Sequence, residues 1–93
     1  MKIVLLDGDK IAEMKDIHRV FAKALCFPPE TGKNLDALHD KLTESRDEIG
    51  VVLVNIEGLQ EAAGRRWKSF LRLLADLEKE REGFYYSIPF EEE

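Results

Sequence analysis

Disulfide chemistry is the first thing this chain cannot draw on. It has one cysteine, Cys26, so no internal disulfide can form. A small chain with neither cross-links nor a Cys/His set for a metal reads as intracellular. Long apolar runs are missing as well. No stretch approaches the roughly 20 residues of a membrane span. The N-terminal MKIVLLDGDK holds only the short apolar run IVLL, too little for the core of a signal peptide. The expected location is cytoplasmic. Excess positive charge is also absent, since 14 Lys and Arg face 19 Asp and Glu, a net charge of −5. DNA, RNA and anionic membranes reward clustered Lys and Arg, so neither nucleic acid nor membrane is expected as a partner. The pair Arg65-Arg66 is too small a basic spot to change that. A cationic protein suits this balance better. No repeat and no low-complexity linker breaks the chain. Its 93 residues predict one domain over residues 1–90, with Glu91-Glu92-Glu93 as a solvated acidic tail.

What is present is an alternation of short apolar runs and amphipathic stretches. IVLL at 3–6, closed by Asp7-Gly8-Asp9, reads as a buried strand. From Met14, apolar residues at Ile17, Val20, Phe21, Ala24 and Leu25 follow helical spacing until Pro28 and Pro29 end it. Asn34 is placed to cap a second helix running to Thr43 or Glu44. VVLVNI at 51–56 is apolar on both faces and predicts the middle strand of a parallel sheet. A long helix is expected over 60–82, with a break or kink at Gly64, and Trp67, Phe70, Leu71 and Leu74 in the core. FYYSI at 84–88 makes a third strand. The order β-α-α-β-α-β predicts an α/β fold with a parallel sheet and helices on one face.

The segment TGKNLDALHDKL carries the sharpest signal. As a helix it puts Leu35, Leu38 and Leu42 on one side, with Asp36, Asp40 and Thr43 in a stripe opposite. Glu44 lies beside the stripe, Asp47 joins it if the helix reaches that far, and His39 sits at the border. Asp36 gains from the helix dipole. Asp40 gains little and faces like charge four residues away on either side, a small destabilisation in isolation. A solvated acidic face explains such crowding on composition alone, and Lys33 and Lys41 would soften it. Asp36, His39 and Asp40 could approach a divalent cation, but no fourth ligand is evident, so neither metal nor cofactor is expected. Neither Thr43 nor Ser45 stands in a nucleophile motif, so no catalysis is expected. Gly8, Gly32 and Gly58 form no phosphate loop. His18 is expected at the surface and Cys26 buried at a helix end.

The stretch PPETGKNLDALHDKLTE resembles the signature of the barstar family, small intracellular inhibitors of barnase-type ribonucleases. Gly32, Asn34-Leu35-Asp36-Ala37-Leu38, Asp40, Leu42 and Thr43 match it in register. DGDKI and the Ile17/Phe21/Leu25 helix match upstream. The resemblance implies a two-layer α/β fold whose three-stranded parallel sheet has order 1-2-3, with helices on one face. It also implies an immunity-type inhibitor that fills a ribonuclease active site with an acidic loop and helix. Asp40 would take the place of the substrate phosphate, Asp36 would pair with an adjacent cation, and Thr43 would add a hydrogen bond. Glu30, Thr31, Gly32, Asn34, His39 and Glu44 would complete the surface, with Asp76 or Glu80 of the long helix as a second contact. Complexes of this family already illustrate hot spots and steered association, so those properties belong to the resemblance. The match departs where the family carries tyrosines before the Gly, here Glu30 and Thr31, and an aromatic before the key Asp, here His39. Aromatic anchors supply much interface energy, so the departures leave a second reading: a barstar-fold module for a different basic protein.

Overall fold

The computed structural model describes residues 1–27 and 34–88. Alternation sets the first strand, β1 (Lys2–Asp7): Val4 and Leu6 are fully buried, whereas Ile3 and Leu5 are each 54% exposed. Strand β2 (Ile49–Val54) repeats the pattern, with Ile49, Val51 and Leu53 buried and Val52 and Val54 half-buried. Strand β3 (Phe84–Ser87) buries Phe84 and leaves Tyr85 exposed. All three run parallel in the order β1-β2-β3, with Val4 opposite Val51 and Ile49 opposite Phe84. The buried residues of the three strands therefore share one face, as period-two geometry requires. The central place of β2 is as expected, but its cover is one-sided. Ile3, Leu5 and Tyr85 remain on the open face.

Helices α1 (Met14–Leu25), α2 (Leu35–Glu44), α3 (Ile56–Ala63) and α4 (Trp67–Glu80) supply the second layer. Helix α1 is held at its start by Asp16, whose Oδ2 accepts the backbone N–H groups of Ala12 and Glu13 at 3.1 and 3.2 Å. Those bonds, chiefly the one from Ala12, hold the Asp16 carboxyl below its usual pKa. Its buried side brings Phe21 edge-on to Phe70 of α4, with ring centroids 6.3 Å apart. Edge-to-face pairs of this kind add about 0.5–1.5 kcal/mol beyond burial.

The expected long helix is two helices. Strand β2 stops at Val54, and α3 begins at Ile56. Gly64, at φ 57°, ends α3 in a backbone region that side chains resist, and a 3₁₀ turn at Gly64–Arg66 leads into α4. The N-terminus of α3 lies hard against the turn after β1. A Cβ on Gly58 would meet the Gly8 carbonyl oxygen at 2.4 Å, and one on Gly8 would meet the Asn55 oxygen at 2.0 Å. Asn55 ties the turn together, its Nδ2 donating to Asp7 at 2.7 Å and to Asp9 at 3.2 Å. The Asn55 bond, followed by the Asp9 N–H, holds the Asp7 carboxyl below its usual pKa.

Four side chains depart from expectation. Cys26 is exposed, because α1 ends there with the residue in the left-handed region at φ 60°. Trp67 and Leu71 pack against the core only partly buried, while Phe70 and Leu74 are fully inside. His18 is only 6% exposed. The helix turns it inward beside Ile17, and its Nδ1 has no hydrogen-bond partner. Burial first, and the Arg66 charge second, press its pKa below the ordinary histidine value.

This packing has two measurable consequences. Gly58→Ala forces two backbones apart and lowers unfolding free energy by about 1–3 kcal/mol, as overpacking does; a variant with wild-type urea midpoint would refute the contact. His18 is neutral in the folded chain and protonates more readily when unfolded. Its contribution is therefore complete above the ordinary histidine pKa, about 6.5, and is lost progressively below it. The difference in unfolding free energy between wild type and His18→Gln shrinks from pH 7 to pH 5, and a pH-independent difference would contradict the burial.

Candidate acidic binding face

Helix α2 is positioned by both its start and its buried side. Asn34 caps it, its Oδ1 accepting the Ala37 N–H at 2.8 Å. Leu38 and Leu42 are buried at 1% and 0% exposure where α2 packs on α4. With 3.6 residues per turn, burying these two turns Asp36, Asp40, Thr43 and Glu44 outward, and all four are exposed. Neither Asp36 nor Asp40 forms an ion pair among the described residues. Lys41, next to Asp40 in sequence, lies 3.9 Å from Glu44 instead. Thr43 donates its hydroxyl to the His39 carbonyl at 2.7 Å, which leaves its oxygen as an acceptor toward solvent.

A second wall comes from α4. Between the two helices runs a cleft of about 330 Å³, lined by Leu35, Asp36 and His39 on one side and Ser69, Arg72, Leu73 and Asp76 on the other. At its edge the helices are linked: His39 Nε2 lies 3.0 Å from Glu80 Oε1. Glu80 is thus engaged within the molecule, whereas Asp76 lies on the cleft with Asp36.

Of the residues singled out in the sequence, Asp36, His39 and Asp76 line this cleft, while Asp40, Thr43 and Glu44 are exposed along α2 beside it. Asn34 lies at its end with the side chain spent on the cap. Glu30, Thr31 and Gly32 lie outside the described residues. Asp47 does not join the stripe, because α2 ends at Glu44. It pairs with Lys2 at 2.9 Å, an attraction that raises the Lys2 pKa above its usual value. Arg72 and Ser69 were missed, although their spacing from Asp76 places all three on one helical face. Among the described residues, no group of three or more His, Cys, Asp or Glu could hold a metal ion. No helix there is long and apolar enough to cross a membrane.

Residues 1–90 match a family model described as Barstar (barnase inhibitor). The chain belongs to the barstar family. At the level of that family its function is inhibition of barnase-type ribonucleases, and its members are inhibitors, not enzymes.

Removing the cap checks how α2 is held in this barstar-family chain. Asn34→Ala lowers unfolding free energy by about 0.5–2 kcal/mol, with faster amide exchange at Leu38 than at Leu74 of α4. Uniform protection across both helices would show that the cap does not organise α2.

Proposed function

We propose that this chain is an intracellular inhibitor of a barnase-type ribonuclease, and that the α2–α4 acidic face fills the enzyme's active site. The observation that supports this most is the pair of outward carboxylates, Asp36 and Asp40, exposed and unpaired among the described residues on a helix anchored by buried leucines. Asp47 and Asp16, by comparison, pair with Lys2 and Arg19. Crowding on α2 is a mild repulsion in the free protein that a cationic partner relieves.

The mechanism is substitution of one anion for another. A ribonuclease site binds the scissile phosphate with Arg, Lys and His. Asp40, near the middle of the ridge, takes the phosphate's place, and two carboxylate oxygens can meet an Arg fork in bidentate fashion. Asp36 pairs with a neighbouring cation, Thr43 accepts a hydrogen bond through its free lone pair, and Asp76 adds a contact from α4. Glu30, Thr31 and Gly32 would extend the surface. The carboxylates are held by helix backbone, so little ordering entropy is lost on docking.

The same face would also bind a different cationic protein. Glu30, Thr31 and His39 stand where the family carries aromatic anchors, and His39 is occupied by Glu80. Those substitutions favour a partner that relies on charge more than on stacked aromatic contact.

Inhibition measured against a barnase-type ribonuclease tests the reading. Asp40→Ala weakens binding by about 2–5 kcal/mol, the range for truncating one partner of a desolvated charge pair, a range drawn in part from this family's own complex. Binding also weakens with added salt, because exposed charges are screened within about 8 Å at physiological ionic strength. Inhibition that survives both the substitution and high salt would place the contact elsewhere.

A further inference from the structure

The α4 wall of the cleft carries a charge of the wrong sign for a simple anion decoy. Arg72 is exposed and lines the cleft with Asp36 and Asp76. It stands four residues before Asp76 on one helix, a spacing at which opposite charges meet readily, although acid-first order is the better one. Even so, neither Arg72, Asp36 nor Asp76 forms an ion pair among the described residues. Among the described residues Lys2, Lys15, Arg19, His39 and Lys41 have acidic partners, whereas Arg72, like the remaining Lys and Arg, has none and differs from them in lining the cleft. The cleft thus presents separated positive and negative groups over a floor that includes Leu35 and Leu73.

Resting on the inhibitor reading, we infer that Arg72 is a specificity determinant, and that the cognate nuclease places a carboxylate opposite it amid the cations that meet Asp36, Asp40 and Asp76. Like charges brought together at a desolvating interface are strongly unfavourable, and such juxtapositions suppress wrong partners. A nuclease whose rim is cationic throughout meets attraction at α2 and repulsion at Arg72. One with an acid at the matching point meets attraction at both. The Asp36 and Asp40 side of the face thus selects for a nuclease site in general, and Arg72 selects among such sites.

The test uses a barnase-type ribonuclease with a cationic rim as the probe, and the wild-type, Arg72→Gln, Arg72→Glu and Asp40→Ala chains. Arg72 is exposed, and circular dichroism confirms that each variant is folded. Arg72→Gln tightens binding to the probe by about tenfold or more, and Arg72→Glu tightens it further. Replacing rim Arg or Lys residues of the probe by Glu, one at a time, finds at least one position that strengthens binding to wild type, and that gain disappears with Arg72→Gln. Where Asp40→Ala weakens binding but both Arg72 variants leave it unchanged or weaker, the selector role is overturned and the inhibitor reading stands. Where neither Asp40 nor Arg72 substitution alters binding, both fall. Should wild type not bind the probe, gain of binding by Arg72→Glu supports the selector, and continued absence overturns it.

Discussion

The functional face depends on one geometric coupling: α2 cannot bury Leu38 and Leu42 against α4 without turning Asp36 and Asp40 to solvent. At 3.6 residues per turn these are two sides of one rod. Burial of large aliphatic side chains is worth about 1.5–3 kcal/mol each. Like-charge crowding at (i, i+4) is worth only a few tenths of a kcal/mol. Leucine burial, being several times stronger, sets the orientation, and the acids accept the weaker repulsion. Neither Asn34 nor the helix dipole has to overcome the repulsion alone, because the leucines already decide it.

That difference in magnitude also explains why charge can stay unspent on this face. Asp47, Asp16 and Glu80 find partners at 2.9, 3.1 and 3.0 Å. Each helps join or order local structure: the β1 start to the chain after α2, the first turn of α1, and α2 to α4. Asp36 and Asp40 have no such task, since leucine packing already holds their helix. The carboxylates can therefore be kept for an outside cation without loss of the fold. Rigidity comes from the apolar side of the helix, and exposed charge from its polar side.

How much of this was legible depended on the range of the determining interaction. The strands, α1 and α2 were readable because alternation, the Asn34 cap and the leucine period act within a few residues. The outward aspect of Asp36 and Asp40 followed from the same period. The break expected at Gly64 is present, at φ 57°, but the start of α3 at Ile56 is not legible, since periodicity does not show that Gly58 must slide beneath Gly8. Helical spacing from Ile17 and Phe21 puts His18 outside, although α1 is covered broadly enough to bury it beside Ile17. Residue type favours a buried Cys26, and the left-handed turn ending α1 that exposes it is invisible in composition. The His39–Glu80 contact spans 41 residues, and no local pattern announces it.

The face therefore divides into a part that sequence similarity captures and a part that only packing assembles. Asp36, Asp40 and Thr43 sit on one short helix in a contiguous motif, so any chain carrying that motif and its leucines presents them alike. Arg72 and Asp76 reach the cleft only because α4 crosses beside α2, held there by Leu73, Leu74 and Leu77 from within and by Glu80 at the rim. Substitutions along the outer row of α4 can alter the sign and spacing of charge on that second wall while leaving the buried leucines untouched. Such a surface can change its charge pattern without changing fold, because the exposed residues that carry the charge are separate from those that hold the two helices together.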